Sequence, residues 1–287
     1  MSAIPEVQLV RTRAELCAAA GADDAFARLD PPEVLDEAYA LGATVGWLRT
    51  SITRKPSFTA WGPRLAEFID ALSGAGVLDG LRLGWITVPR SDFAVVGQRF
   101  ALRAGGDWDW MWTDGMPAVV PGEERLVALD DTRDAAEITA FAARENPRFE
   151  GHPGTGQSAS WLGVRDEAGD LVACGAIQRL GSGVAHLAGI LSAERVRGQG
   201  LGRAISAALT RGAVEREGVC TLGMYADNTV ARTLYHSLGY RTDKEWASRL
   251  VARMTPAATD PGDQPPASAF LTCAMMPGTA ACISAYV

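Results

Sequence analysis

The segment that most restricts this chain is Arg197-Gly198-Gln199-Gly200-Leu201-Gly202-Arg203-Ala204. It stands between a β-like run at residues 184–192 and an amphipathic run at 203–216, where Ile205, Ala208, Leu209 and Gly212 share a stripe. Glycines alternating at a strand-to-helix junction impose a sharp turn, because glycine takes backbone angles closed to other residues and brings no Cβ. The N–H groups of a first helical turn lack intrahelical acceptors and point outward together. With the helix dipole they form a seat for a diphosphate. On spacing alone, a plain tight strand-to-helix turn is an equally good reading. A dinucleotide fingerprint fails, because its third glycine would fall on Arg203.

Composition narrows the partners. The chain has 287 residues, 47% apolar and 21% charged, in the range of globular proteins. Its 27 Lys and Arg against 34 Asp and Glu give a net charge of −7 and a pI near 5.1. An acidic balance argues against nucleic acid as a partner, since phosphate neutralisation needs a basic excess. The cysteines (Cys17, Cys174, Cys220, Cys273, Cys282) are odd in number, widely spaced and without a CxxC pair. His152, His186 and His236 lack i, i+4 spacing. No metal site is therefore expected. Residues 1–20 carry Glu6, Arg11, Arg13 and Glu15 and do not read as a secretion signal, and no apolar run reaches membrane-span length. The expectation is a reduced, cytoplasmic protein without a membrane partner.

Three regions are expected: an α/β unit over 1–120, a second over 123–254, and a loop-like tail over 255–287, with Pro121-Gly122 as the first break. In the first unit, residues 11–20, 24–29, 32–41, 62–72 and 91–100 read as helices. Residues 44–49, 81–88 and 107–113 read as strands. Trp108, Trp110 and Trp112 fall at every second position, which makes one aromatic strand face. A buried face is the simpler reading, and a ligand platform the alternative. In the second unit, strands are expected at 125–129, 161–165, 171–177, 184–192, 220–225 and 246–251. Helices are expected at 134–144, 203–216 and 229–238, the last closed by Gly239.

A second motif follows Gly202 at a distance: Asn228, Ala231, Leu234-Tyr235 and Gly239-Tyr240. Taken with Arg197-x-x-Gly200-x-Gly202, and with a strand and helix between, residues 123–254 resemble the GNAT superfamily of acyl-CoA-dependent N-acetyltransferases. The resemblance implies a mixed, mostly antiparallel GNAT-type sheet flanked by helices, of α/β (α+β) class. It implies acetyl-CoA as co-substrate, no metal, and a small-molecule or peptide amine as acceptor. It implies that the backbone amides of Arg197, Gly198, Gln199, Gly200, Leu201, Gly202 and Arg203 hold the pyrophosphate. Ile190, Leu191 and Ser192 would pair with the pantetheine arm and stabilise an oxyanion. Members often carry an apolar residue where Ser192 stands. Asn228 would bond the cofactor, and Tyr235 would be the general acid.

Tyr235 suits that role chemically. A phenol of pKa about 10 donating to a thiolate of pKa about 8.5 faces a cost of roughly 2 kcal/mol, and a hydrogen bond alone would already help. By periodicity alone it is a core aromatic, sharing a stripe with Ala231, Leu234 and Leu238. The base that must deprotonate the amine is open between His186, Glu145, Glu150, Asp227 and water. Gly151-His-Pro-Gly-Thr-Gly156-Gln157-Ser158 nearly spells a phosphate loop but has Gln157 where lysine is required, and reads as a flexible loop near the acceptor site. Cys174 and Cys220 read as small core residues. Strand–helix alternation from Thr44 echoes that from Val184. This suggests a tandem in which the N-terminal half is a degenerate copy, as in glycine-N-acyltransferase-like proteins. Rival readings are a non-catalytic acyl-CoA sensor and an O-acyl or longer-chain acyltransferase.

Overall fold

The structure, a computed structural model, describes residues 7–50 and 56–252. The N-terminal half runs β1 (Gln8–Thr12), α1 (Arg13–Ala20), α2 (Ala25–Leu29), β2 (Val34–Leu41), β3 (Thr44–Thr50), β4 (Pro56–Trp61), α3 (Leu65–Gly74), α4 (Val77–Gly80), β5 (Trp85–Pro89), α5 (Phe93–Gly97) and β6 (Leu102–Thr113). The C-terminal half runs β7 (Val127–Leu129), α6 (Ala135–Glu145), β8 (Ser158–Arg165), β9 (Leu171–Arg179), β10 (Ala185–Ser192), α7 (Leu201–Glu217), β11 (Cys220–Tyr225), α8 (Thr229–Ser237) and β12 (Arg241–Val251).

The strands form one twelve-stranded sheet in the order β1-β2-β3-β4-β5-β12-β6-β11-β10-β9-β8-β7. Among the described residues every pairing is antiparallel except β4–β5 and β10–β11. The halves exchange their last strands. β12 lies between β5 and β6, and β6 lies between β12 and β11. Each half therefore completes the other's sheet.

Alternation along the strands decides what lies on each face. On β6, Trp108 and Trp110 enter an aromatic cluster with Phe26, Trp47, Trp61 and Trp246, while Met111 joins the core of the C-terminal half. Phe26, on α2, is fully buried, with its ring 4.9–5.5 Å from those of Trp47, Trp61, Trp110 and Trp246 in tilted or edge contacts. The tryptophan face is thus buried packing, as the simpler reading holds. Beside it, Asp24 accepts from Trp61 Nε1 at 2.7 Å and pairs with Lys244 Nζ at 3.0 Å, which pins β12 to α2. On β9, Gly175 leaves room for Ile205 and Leu209 of α7, and Gln178 on the opposite face donates to the Gly151 carbonyl. Helix α7 and the loop after α6 thereby cover opposite faces.

The element plan of the C-terminal half matches expectation closely, and that of the N-terminal half does not. Residues 32–41 read as a helix but form strand β2 over Val34–Leu41, because β1 and β3 pair with it on both sides and burial of Leu35, Ala38 and Ala40 outweighs the local helix preference of Asp, Glu, Ala and Leu. Asp30, two residues ahead of Pro32, closes α2 and, buried, pairs with Arg49 at 3.1 Å. Residues 81–84 lie outside β5, after the short α4, with Arg82 at a positive φ of 48°. Strands β1 and β4 were not anticipated. The echo between halves is therefore offset by one strand: β4, α3, β5, α5 and β6 follow the order of β10, α7, β11, α8 and β12. The tail at 255–287 lies outside the described residues.

A fragment spanning 123–252 lacks β6 and leaves β11 with an open edge, so we expect it to show no cooperative urea transition while the full chain does. A sharp transition in the fragment, as steep as the full chain's, would contradict the interdependence of the halves.

Candidate active site

The site begins where the sheet parts. β10 and β11 pair in parallel only at His186–Thr221 and Leu187–Leu222. Beyond those pairs β11 stays with β6 as far as Tyr225–Trp108, while β10 stays with β9 through Ser192–Ala173. Between Ala188 and Leu191 β10 carries a bulge, and Gly189 at its centre has φ +62°. A bulge bends and twists its strand, which turns β10 away from its neighbour. A side chain at Gly189 would meet Gly151 Cα at 2.8 Å and the Phe149 ring at 3.1 Å. Both backbone angle and space therefore require glycine there. The cleft that opens is lined by Phe149, Glu150, His186, Ile190, Tyr225, Asn228 and Tyr235, among others.

At the same end of β10 the chain passes through a short 3-10 turn, Glu194–Val196, into α7. Gly200 caps α7 in the left-handed region at φ +80°, with no side-chain hydrogen bond to the helix start. Nothing within 4 Å of Gly198 or Gly200 would meet a Cβ, so the approach to this turn is open. The seven amides expected to act together are not equivalent. Arg197 N–H donates to Glu194 O and Gln199 N–H to Val196 O, so those two already serve the turn. The amides of Leu201, Gly202 and Arg203 occupy the first helical turn, whose donors lack intrahelical acceptors. A Cβ added at Gly202 would meet Ser192 Oγ at 3.6 Å and Ile190 at 3.8 Å, so the helix start lies beside the strand end. The Arg203 side chain reaches Ser237 Oγ at 3.0 Å, tying α7 to α8.

Asn228 is the N-cap of α8, its Oδ1 accepting from Ala231 N–H at 3.0 Å, which leaves its amide NH2 as the donor for a ligand. Tyr235 projects from α8, almost fully buried, with its ring 5.8 Å from that of Tyr240. Burial raises its phenol well above the ordinary value, so it remains a protonated donor throughout the working pH range. The same shift makes full proton transfer to a thiolate costlier than for a free phenol.

The four candidate bases separate clearly. Glu145 accepts from the Glu194 amide at 2.9 Å; this bond and Arg144 hold its carboxyl below the usual range, outside the cleft. Asp227 is paired with Arg148 at 2.9 Å. His186 lies on the cleft wall, its Nδ1 2.8 Å from Thr221 Oγ1; burial, with a smaller effect of Arg49, pushes it down to about 3. It is therefore neutral and weakly basic. Glu150 lines the cleft, accepts from the Tyr225 hydroxyl at 2.9 Å and lies 3.5 Å from His152 Nε2. Tyr225, Phe149 and Gly189 were missed in the sequence. A lone glycine inside a strand pattern was the available signal for the bulge. The loop at 151–158 is held rather than loose: Gly156 N–H and Trp161 Nε1 both donate to Asp131, and Gln178 to Gly151 O. Burial pushes the thiols of Cys174 and Cys220 up to about 12 and about 11, in keeping with core residues. Among the described residues there is no cluster of three metal-ligating side chains, and no helix is long and apolar enough to cross a membrane.

A mixed sheet split beside a bulge, with an uncapped helix start at the mouth of the split, defines the GNAT architecture. This is the fold of acyl-CoA-dependent acyltransferases. Residues 161–265 match the FR47-like protein family. A GCN5-related N-acetyltransferase from Kribbella flavida shares the fold at TM-score 0.51 and 16% identity, over 83% of this chain and 96% of that one. A GNAT-family acetyltransferase from Colwellia psychrerythraea does so at TM-score 0.50 and 13% identity, over 86% and 100%. A putative GNAT-family acetyltransferase from Novosphingobium aromaticivorans is 26% identical over 60% of this chain and 74% of that one, at TM-score 0.48. No curated protein matches the chain.

Two outcomes follow from the geometry. Gly189→Ala should destabilise the chain by about 1–3 kcal/mol through backbone strain; an unchanged melting temperature would contradict the need for glycine at the bulge. His186 has a folded pKa below its unfolded one, so its contribution to stability is complete above pH 6.5 and declines as pH falls toward 3. Urea titrations between pH 6.5 and 4 should lose up to about 1.4 kcal/mol per pH unit from this group, and His186→Gln should flatten that slope.

Proposed function

We propose that the chain transfers an acetyl group from acetyl-CoA to the nitrogen of a small-molecule or peptide amine. The observation that carries the reading is the meeting, at one end of β10, of the open split with the free first-turn amides of α7. An extended thiol-bearing arm and a diphosphate would be received by adjacent main-chain surfaces. When bound, acetyl-CoA supplies an activated thioester carbonyl and a thiol leaving group. The residues of this chain do the rest. Leu201, Gly202 and Arg203 amides, with those of Gly198 and Gly200, hold the pyrophosphate. The bulged edge at Ile190, Leu191 and Ser192 lies along the pantetheine arm. Asn228 donates from its amide. Tyr235 donates a hydrogen bond to the departing sulfur as the C–S bond breaks and the C–N bond forms.

Glu150 takes the proton from the attacking amine, directly or through water. Among the four candidates it alone combines a place on the cleft wall with an ionisable carboxylate not engaged by a cation of opposite charge at full pairing distance. Its carboxylate beside the Tyr225 and Phe149 rings favours an acceptor that arrives as a cation. Among the described residues, the N-terminal half offers no second seat for the cofactor. Residues after its last β4–β5 pair, Ala60 and Trp61, are buried, and Phe26 packs against Trp61. Its α3 is capped by Arg64, whose amide donates to Thr44 Oγ1 and whose guanidinium pairs with Glu67 of the first turn, so this helix start is already occupied by its own side chains. We read it as a degenerate copy that supports the active half.

Turnover with a panel of amines, read as free thiol, tests the reading. Tyr235→Phe should lower kcat about 10–100-fold with the KM for acetyl-CoA within threefold, and Glu150→Gln should lower kcat most at pH values where the amine is protonated, the deficit shrinking as rising pH supplies neutral amine. Coenzyme A binding with no thiol release from any amine would replace catalysis by a sensing role. Release with alcohols alone would make the enzyme an O-acyltransferase.

A further inference from the structure

Asp109 is a fully buried carboxylate on β6, facing away from the tryptophan cluster, and it is bound from both halves of the molecule. Arg90, in the connection after β5, reaches its Oδ1 at 2.7 Å. Arg232, on α8, reaches its Oδ2 with Nε at 2.9 Å and Nη2 at 2.6 Å. The same Nη2 donates to the Ala226 carbonyl at 2.9 Å, fixing the turn that leads from β11 into α8. The Ala226 amide in turn donates to the Asp107 carbonyl at 3.0 Å, and Asp107 pairs with Arg249 of β12 at 2.9 Å. Charged groups from the turn after β5, from β6, β12 and α8 thus converge on the exchanged strand.

Besides this clasp, helix α8 is held at that end by the Arg148–Asp227 pair just ahead of it and by the partly buried Ala231 and Leu234. Its buried contribution is Tyr235, and Val230, Thr229 and Asn228 at its start are exposed. Arg232 stands one turn before Tyr235 and one turn after Asn228, so the arm that anchors the helix sits between its two site residues. The Arg fork fixes orientation as well as distance, because it presents two donors in a plane.

We infer that Asp109, clasped by Arg90 of the N-terminal half and Arg232 of α8, sets the position of α8 against the cleft, so that Arg90, Asp109 and Arg232 are positioning residues for Tyr235 and Asn228. This gives the exchanged strand a task beyond closing the sheet: it carries the setting of the N-terminal half into the acyl-transfer cleft. The inference rests on the proposed acyltransferase reading for its catalytic consequence, and on geometry alone for its effect on α8.

The test uses the full-length chain and begins with a readout that needs no substrate. In hydrogen exchange, Arg90→Met should speed exchange of the peptide over 226–238 at least tenfold while leaving the 201–217 peptide of α7 within twofold of wild type. Arg232→Met should do the same, and Arg232→Lys should lie between. In Asp109→Asn the further change Arg90→Met should add nothing to the 226–238 rate, since the link is already cut. Uniform acceleration in both peptides, or none in 226–238, would overturn the inference. Where thiol release is measurable, Arg232→Met should lower kcat more than tenfold at a temperature well below its melting point, with Arg232→Lys recovering part of it. A melting temperature that falls while kcat per folded molecule holds would make the cluster merely structural and overturn the inference. Absence of thiol release in the wild type would count against the acyltransferase reading, and the exchange result would still decide the coupling.

Discussion

Everything in the proposed site depends on the failure of β10 and β11 to stay paired. Two parallel neighbours in the middle of a sheet normally satisfy each other along their length, and an unpaired buried backbone is costly. Here the pairing ends after Leu187 and Leu222. The bulge at Gly189 turns β10 outward, and the loop bearing Phe149 and Gly151 lies close over it. The exposed main-chain edge is then available to an extended ligand, in the manner of an added strand. The α7 amides stand at the mouth of the same opening because the chain leaves β10 through only one short turn before Gly200. One backbone irregularity thus places two different kinds of binding surface side by side.

The second constraint is the exchange of β6 and β12. It binds the halves more closely than a linker at Pro121-Gly122 would suggest, since the C-terminal cleft has β6 as the neighbour of its β11 wall. The aromatic cluster around Phe26 buries one face of the exchanged strands, and the Asp109 ion cluster occupies the other. A buried carboxylate between two guanidinium groups gains little net stability over apolar packing, but it fixes a geometry strictly. That distinction fits a role in holding α8 in place.

Much of the C-terminal half was legible in the sequence. The Gly198–Gly202 run marked a turn with a helix behind it, Asn228 marked a helix start, and Gly239 its end, because these features are local and each has a backbone cause. What stayed hidden is non-local. Residues 34–41 look helical one by one and become a strand only because β1 and β3 flank them. Pairing of β6 with β11 and β12 joins positions more than a hundred residues apart, and no periodicity announces it. In the site, Tyr235 was found by its motif, whereas Tyr225 and Phe149 reach the cleft through the sheet's twist and a loop's path. The choice among His186, Glu145, Glu150 and Asp227 turned on partners that a sequence does not show, such as the Glu194 amide for Glu145 and Arg148 for Asp227.

The place where a diphosphate meets the main chain decides the proposed function most directly. In an amide nitrogen–proton correlation titration of the intact protein with coenzyme A, the resonances of Leu201, Gly202 and Arg203 should move downfield and saturate together with those lining the split near Ile190. The amides of Arg197 and Gln199, already bonded within the turn, should move far less. Saturable binding that leaves Leu201 to Arg203 unperturbed would contradict the account, because the ligand would then be held somewhere else.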